Sequence, residues 1–374
     1  MKKIGLVTIY DVPNYGTVLQ AYATKRIFEN MGCEVTTIQY TRKNAWVRSR
    51  YLMTKSCFLK NFIHRLQVTH YGRMVVRLEK FRRQYLSLSK KYDTLEELKK
   101  ENWMNYDMLV SGSDQVWNAK FLYGDSVYLL SFLSDDIRRI SVASSFALPR
   151  IPHEYVEKYK LYLQKYDAIS VRETNGKKII EKQLGIDKKV QVLLDPTLML
   201  SAREWIHDFS VSTVENTERY ILFYMLDYAF EPKPYIFEVA KFFKRKLKCN
   251  VYALVGYKHR HKANGLKLKN FSDASISQYL HLFQNAALVI TSSFHGTAFA
   301  VNFGRPLISI VPSNGDDRQT TLLRDLNLLS CIVPVGKPLN EINPYYDVKV
   351  EQNLLDKKRM ESLKWICKNV IGNE

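Results

Sequence analysis

The sequence predicts an α/β protein made of two Rossmann-like domains with a cleft between them. Short apolar segments rich in β-branched residues alternate with amphipathic helical patterns, which is typical of parallel strands covered by helices. This alternation pauses near 195–196 and then begins again. The length of 374 residues also exceeds the ~150 residues expected of one domain.

The first domain is predicted to span 1–195. Its opening run KIGLVTIY (3–10) is apolar and β-branched, and the amphipathic pattern of 17–31 predicts a helix after it. The same criteria predict its further strands at 34–40, 107–110, 139–143, 168–171 and 190–194.

The second domain is predicted to span 196–345 and to repeat this arrangement. Its predicted strands are 220–226, 251–255, 287–291 and 307–311, and its predicted helices are 235–247, 276–285, 296–303 and 319–326. A helical tail is expected at 346–374. Ligands of open parallel sheets bind at the carboxyl ends of the strands, so we expect the functional residues there.

The chain is strongly basic, with 56 Lys and Arg against 37 Asp and Glu and a formal charge of +19. Such a surface attracts anions, whether phosphorylated small molecules, nucleic acid or anionic lipid. Much of the excess lies in a basic helical insertion of the first domain at about 42–105, since 42–100 holds 16 basic and four acidic residues.

Three roles are open for this insertion. It fits a solvated helical layer over the first domain, or a surface that contacts an anionic membrane, because aromatic residues are interspersed among its cations. Nucleic-acid binding is the weakest reading because no recognised nucleic-acid fold accompanies the charge. We therefore predict no nucleic-acid partner.

The cysteines and the apolar runs indicate the compartment. Five scattered cysteines without a CxxC spacing predict reduced thiols, and neither paired histidines nor clustered carboxylates suggest a metal site. No run approaches the ~18 apolar residues of a membrane span. The sequence thus predicts a cytoplasmic protein with no metal and no cofactor, and allows peripheral contact with the inner face of the membrane.

Two candidate binding loops follow strands of the first domain. The loop at 11–16 ends in Asn14, Tyr15 and Gly16 at a helix start, which suits ligand approach but also fits an ordinary βα turn. The segment 110–118 delivers Asp114, Gln115, Trp117 and Asn118 to a strand end. An acid, amides and an indole suit sugar recognition, and Asp114 could deprotonate a hydroxyl, although it also fits a turn cap.

Arg172 ends another predicted strand. Its guanidinium fork fits a carboxylate or phosphate ligand, with a salt bridge to a protein acid as the alternative. Nearby, Asp195-Pro196-Thr197 is predicted to be a hinge, with ligand contact as the alternative.

The strongest local pattern is Thr291-Ser292-Ser293-Phe294-His295-Gly296-Thr297. A helix that begins here favours an anion beside His295, and both phosphate binding and general-acid catalysis favour a protonated imidazole. A buried structural histidine is the alternative. Downstream, Arg318 opens the next helix and could reach the same ligand, and the basic loop 257–262 could guide a pyrophosphate or be merely solvated.

Together these segments resemble the polysaccharide pyruvyl transferase family over about 3–330. The resemblance is carried by NYGTVLQAYA (14–23), VSGSDQVWN (110–118), SVRE (170–173), LLDPT (193–197) and TSSFHGTAFAVNFGRPLISI (291–310). It implies a fold like that of B-type glycosyltransferases. Many members carry an arginine two positions before the histidine, where this chain has Ser293.

The resemblance also implies a reaction. The enolpyruvyl group of phosphoenolpyruvate would be moved onto a sugar, releasing phosphate and leaving a pyruvate ketal, in capsule or exopolysaccharide assembly on a glycan that is carried by a lipid pyrophosphate. His295 and Asp114 would be the catalytic acid and base. The expected donor-binding set is Arg172, Ser293, Gly296, Thr297 and Arg318, and the expected acceptor-binding set is Asn14, Tyr15, Gly16, Gln115, Trp117 and Asn118.

The alternative function is a nucleotide-sugar-dependent glycosyltransferase of the same architecture, since a two-domain cleft with helix termini that bind anions would serve it equally well. A basic lipid- or nucleic-acid-binding scaffold is a third reading. This third reading does not explain why Asp114, Arg172 and His295 stand at the ends of predicted strands.

Overall fold

A computed structural model describes residues 1–41, 67–211, 218–227, 229–254, 265–313 and 317–372. They form two compact units. The first holds the described residues of Met1–Ile63, Leu78–Met199 and Lys358–Glu374, and the second those of His64–Arg77 and Leu200–Lys357. Each unit is an α/β structure with parallel strands, which confirms the predicted fold class.

The first unit contains a five-stranded parallel sheet in the order β3-β2-β1-β4-β5 and a separate parallel pair, β6-β7. The strands are β1 (Lys3–Val7), β2 (Glu34–Tyr40), β3 (Leu88–Tyr92), β4 (Met108–Ser111), β5 (Arg139–Ser141), β6 (Ile169–Val171) and β7 (Val190–Val192). The helices from the N-terminus to 199 are α1 (Tyr15–Asn30), α2 (His70–Tyr85), α3 (Leu95–Lys99), α4 (Ala119–Leu122), α5 (Val156–Leu163), α6 (Thr174–Lys178) and α7 (Pro196–Met199).

The second unit contains a six-stranded parallel sheet in the order β10-β9-β8-β11-β12-β13. Its strands are β8 (Tyr220–Tyr224), β9 (Asn250–Ala253), β10 (Lys269–Asn270), β11 (Leu288–Thr291), β12 (Leu307–Val311) and β13 (Ile332–Pro334). The remaining helices are α8 (Ala202–Asp208), α9 (Tyr235–Leu247), α10 (Ile276–Gln284), α11 (Phe294–Asn302), α12 (Asp317–Asp325) and α13 (Val348–Val370).

The central strands of the second unit are apolar throughout because both faces of the sheet are covered. In β11, Ile290 pairs with Phe223 of β8 and with Ile308 of β12, and all three side chains are fully buried. This register ends the three strands at the same edge of the sheet. The loops after β8, β11 and β12 are therefore neighbours.

The basic insertion differs most from its prediction. The part at 42–66 lies outside the described residues. The rest includes β3, an edge strand that the polar sequence LSKKY did not predict. In α2, His70 and Arg73 bond to the carboxylate of Asp273 at 2.7 and 2.6 Å. Burial works against ionisation of Asp273, but the hydrogen bonds and the charges of His70 and Arg73 together outweigh it and lower its pKa.

The other predicted strands lie within a few residues of their expected positions. The short edge strands β10 and β13 were not predicted, since two or three residues carry no periodic pattern. Within the described ranges, no helix is long and apolar enough to cross a membrane.

Candidate functional site

Asp114 lies just beyond the carboxyl end of β4, in an unusual backbone conformation. Its φ of 68° falls in the left-handed region, which Asp tolerates better than most residues. Two backbone N–H groups, those of Val116 and Ser145, donate to its carbonyl oxygen at 2.8 and 3.0 Å. The side chain accepts a 3.0 Å hydrogen bond from the Thr17 hydroxyl of α1. The loop thus fixes both the backbone and the carboxylate of Asp114.

The approach of this loop to β1 requires a residue without a side chain. A Cβ on Gly112 would lie 2.8 Å from Cβ of Thr8 and 3.0 Å from Leu6. Glycine at 112 is therefore needed for packing against the neighbouring strand.

Arg172 follows β6 and lies between two carboxylates. Its Nη1 is 2.7 Å from Oδ2 of Asp195, and its Nη2 is 3.9 Å from Oδ1 of Asp114. The side chains of Arg172 and Asp195 are 2% and 0% exposed. Arg172 therefore forms the salt bridge to protein acids that the sequence left open as the alternative to donor binding.

Asp195 is the member of this cluster whose role the sequence analysis missed. Its Oδ1 accepts hydrogen bonds from the backbone and hydroxyl of Thr197 at 2.9 and 2.7 Å. Its Oδ2 accepts a bond from the Ser113 hydroxyl at 3.1 Å as well as the one from Arg172. The signal that could have found it is the one that found Asp114, a charged residue just after a buried strand.

Glu173 was also not predicted as a site residue. It is buried, and its Oε1 accepts hydrogen bonds from the Ser145 hydroxyl and from the backbone N–H groups of Phe146 and Ala147. Ser145 in turn donates its own N–H to Asp114. The carboxylate therefore holds the turn after β5 against the Asp114 loop.

Trp117 does not have the predicted role. Its side chain is fully buried, its indole N–H donates to the carbonyl of Tyr128 at 3.2 Å, and its ring packs against Phe146 and Tyr166. Burial also raises the pKa of Tyr166, so its phenol stays neutral in this apolar cluster. A ring enclosed in this way cannot stack on a sugar.

Gln115 and Asn118 are engaged with each other. The amide of Asn118 donates to Oε1 of Gln115 at 2.8 Å, and its oxygen caps α4 by accepting from the N–H of Phe121 at 3.0 Å. Both residues are buried. Their side chains are thus used in the structure of the loop, and their predicted contact with a sugar acceptor stays a prediction.

The loop before α1 shows the same kind of local bonding. Asn14 caps α1, since its side-chain oxygen accepts from the N–H groups of Gly16 and Thr17 at 2.9 and 3.4 Å. Tyr15 is buried and Gly16 is the second residue of the helix. Of the three predicted acceptor contacts in this loop, only Asn14 is partly exposed.

His295 lies in the first turn of α11, immediately after β11. Ser293 caps this helix with a 3.3 Å bond from the N–H of Gly296 to its hydroxyl, and the ring of Phe294 contacts the imidazole edge-on at 5.4 Å. His295 is 6% exposed. The partial positive charge of a helix N-terminus therefore surrounds a titratable, nearly buried side chain.

Gly296 and Thr297, which were predicted to contact the donor, have packing roles in the structure. A Cβ on Gly296 would overlap the hydroxyl of Thr291 and lie 2.9 Å from Cδ1 of Tyr224. Thr297 is fully buried, and its hydroxyl lies 2.8 Å from that of Ser309 in β12. The glycine lets α11 lie close to β11, and Thr297 ties the helix to β12.

Gln319 connects the two helices at this edge. Its amide donates to the hydroxyls of Ser309 and Thr297 at 2.6 and 3.3 Å, which joins the first turn of α12 to that of α11.

Arg318, the residue before Gln319, is a cation that is 9% exposed. On the adjacent side, the Ser292 hydroxyl bonds to both backbone groups of Leu226 after β8. His295 and Arg318 thus belong to one hydrogen-bonded edge.

The structure therefore forms two clusters of site residues, one in each unit. The first contains Asp114, Arg172 and Asp195, which was predicted as part of a hinge. The second contains Ser293, His295 and the α12 terminus. The basic loop 257–262 lies outside the described residues. Among those residues, no three His, Cys, Asp or Glu side chains converge as metal ligands.

A family model for polysaccharide pyruvyl transferases matches residues 14–314, about four fifths of the chain. The chain belongs to the polysaccharide pyruvyl transferase family. The match begins at the cap of α1 and includes Asp114, Arg172, Asp195 and His295, but it ends before α12. This pyruvyl transferase is thus an enzyme of a family that transfers pyruvyl groups to polysaccharide. No curated protein matches its sequence.

Three solved structures resemble the fold of this pyruvyl transferase at low sequence identity. The UDP-GlcNAc 2-epimerase of Neisseria meningitidis, bound to UDP-GlcNAc, aligns over 100% of both chains with 10% identity and a TM-score of 0.55. The Methanocaldococcus jannaschii UDP-GlcNAc 2-epimerase, in complex with UDP-GlcNAc and UDP, aligns over 100% of both with 14% identity and a TM-score of 0.53. A putative UDP-N-acetylglucosamine 2-epimerase of Listeria monocytogenes covers 97% of this chain and 91% of its own, with 12% identity and a TM-score of 0.53.

The surroundings of Trp117 predict a core role that a variant can test. We expect Trp117→Phe to lower the free energy of unfolding by about 1–3 kcal/mol, because it removes one buried hydrogen bond and leaves space in the cluster. Urea denaturation measures this change, with Trp365→Phe, at a half-buried position of α13, as the control. An unchanged stability with a raised KM for the glycan would instead restore the sugar-stacking role.

Proposed function

We propose that this enzyme transfers the enolpyruvyl group of phosphoenolpyruvate to a sugar of a growing glycan and leaves a pyruvate ketal there. The observation that carries the proposal is the pairing of the family membership with His295, held nearly buried in the first turn of α11. An imidazole in the first turn of a helix places a possible proton donor beside backbone N–H groups that favour an anionic ligand.

His295 is the proposed general acid. Proton transfer from its imidazole to the vinyl carbon of the donor would form the methyl group and leave an oxocarbenium-like centre at C2. A sugar hydroxyl attacks that centre. Phosphate then leaves, taking up the proton released by the first hydroxyl, and a similar centre forms again at C2. A second hydroxyl of the same sugar closes the ketal and returns its proton to the imidazole. Positioned proton transfer of this kind accelerates reactions by roughly 10²–10⁴-fold.

Asp114 is the proposed base that accepts the proton of the attacking hydroxyl. This role is supported by the fixed orientation of its carboxylate. The Thr17 hydroxyl donates to Oδ2 at 3.0 Å, and Nη2 of Arg172 lies 3.9 Å from Oδ1.

Arg318 is the proposed donor-binding cation. It is the second residue of α12, and its neighbour Gln319 bonds this first turn to the first turn of α11. Guanidinium groups and helix N-termini both favour phosphate, and charge develops on the phosphate as it leaves. With Arg172 engaged by two acids, Arg318 is the stronger candidate of the two predicted arginines.

The acceptor that we propose is a glycan carried on a lipid pyrophosphate, as capsule and exopolysaccharide assembly would require. The described part of the insertion supports a surface that rests on the cytoplasmic leaflet. Exposed cations occur on α2, β3 and α3, among them Lys80, Arg83, Lys90, Lys91 and Lys99. Each cation near an anionic membrane contributes about 1 kcal/mol of attraction.

The role of His295 is tested by its glutamine variant. His295→Gln should reduce phosphate release from phosphoenolpyruvate, in the presence of glycan acceptor, by about 10²–10⁴-fold, because the amide cannot supply a proton. His281→Gln, on α10, is the matched control and should turn over like the wild type. Turnover of His295→Gln near the wild-type rate would remove the general-acid assignment.

Membrane contact is tested by vesicle sedimentation at ~0.15 M salt, where charges are screened beyond ~8 Å. The wild type should sediment with vesicles that contain anionic lipid, and Lys80→Glu with Lys99→Glu should weaken this binding at least ~10-fold. Arg245→Glu with Lys364→Glu changes the charge equally at other exposed positions and is the control. Equal weakening by both pairs, or no wild-type binding, would contradict the proposed surface.

A further inference from the structure

Asp195 connects three segments of the first unit through one carboxylate. Oδ1 bonds to Thr197 in α7, and Oδ2 bonds to Ser113 and to Arg172. The residue is 1% exposed, too enclosed to reach a substrate itself. Two of its partners lead to Asp114: Ser113 is the preceding residue in the chain, and Arg172 is the cation beside its carboxylate.

The sharing of Arg172 is unequal. The guanidinium lies 2.7 Å from Asp195 and 3.9 Å from Asp114, so of these two acids Asp195 forms the hydrogen-bonded ion pair. Without the Asp195 charge, the buried guanidinium would have Asp114 as its neighbouring acid. An uncompensated buried charge is strongly unfavourable, so the Asp114 carboxylate would be drawn toward Arg172 and away from Thr17.

We propose that Asp195 is a positioning residue that keeps the Asp114 carboxylate in place by binding Arg172 and Ser113. Its effect on the reaction rests on the proposed role of Asp114 as the base. Because Asp195 binds Arg172, the Asp114 carboxylate keeps its hydrogen bond to the Thr17 hydroxyl, and this bond sets its orientation as the proposed base. Ser113 supplies a second connection, because its carbonyl also accepts a 3.0 Å bond from the Thr8 hydroxyl of the loop after β1.

Crystal structures of the wild type and of Asp195→Asn test the positioning directly and need no substrate. The amide keeps the size of the side chain but loses the charge, so the distance from Arg172 Nη2 to Asp114 Oδ1 should fall from 3.9 Å to hydrogen-bond length. The Thr17 bond should be lost. Asp125→Asn is the control, since Asp125 caps a turn of the same unit and bonds to Tyr40.

Kinetics of the same variants supply the second readout. Asp195→Asn should lower kcat for phosphate release by about 10²-fold, the cost of a misplaced group, and change the KM for phosphoenolpyruvate little. Asp125→Asn should leave both constants unchanged. If Asp195→Asn does not fold, Ser113→Ala removes one of the two connections and should shift Asp114 and lower kcat to a smaller extent.

The two tests separate the two proposals. The positioning role is overturned if the Asp114 carboxylate stays bonded to Thr17 in Asp195→Asn, whatever the donor is. The same holds for Ser113→Ala if that is the variant that folds. A wild-type enzyme that releases no phosphate from phosphoenolpyruvate overturns the proposed reaction, while the crystal comparison still decides the role of Asp195. A raised KM with unchanged kcat would also contradict positioning of a base.

Discussion

The buried charge of Arg172 is the constraint on which the first unit depends. A cation at this depth requires neighbouring acids, and removing one partner of a buried pair typically costs about 3–5 kcal/mol. The carboxylate of Asp195 lies 2.7 Å from the guanidinium, and the carboxylate of Asp114 lies 3.9 Å from it. The ends of β4 and β6 and the start of α7 are therefore held together by one ion cluster. The proposed base is part of that cluster, so its position depends on the charge balance around Arg172.

The second unit places its proposed acid by close packing instead. Gly296 allows α11 to approach β11, and buried hydroxyls of Thr297 and Ser309 bond to Gln319 of α12. The helix start that carries His295 cannot shift without breaking these contacts. The two units thus use different forces, ion pairing and steric fit, to hold single side chains at the carboxyl ends of parallel strands.

Much of this architecture follows from periodicity, since the buried strands are long enough to show it. The pattern predicted β2 and β12 at their observed bounds, whereas β3 was missed because LSKKY is polar. For the site, the sequence identified which residues stand at strand ends but not which way they face. Trp117 therefore proved to be core, and Arg172 proved to be paired, because partners distant in the chain decide burial and charge balance.

Thermal unfolding in the presence of ligands tests the proposed donor most directly. Phosphoenolpyruvate at about 100 times its dissociation constant should add ~2.7 kcal/mol of stability and raise the Tm by a few degrees. UDP-sugars should leave the Tm unchanged. The rise should vanish in Arg318→Ala and persist in Arg324→Ala, an exposed arginine of the same helix. Stabilisation by a UDP-sugar but not by phosphoenolpyruvate would contradict the account and favour a nucleotide-sugar-dependent reaction.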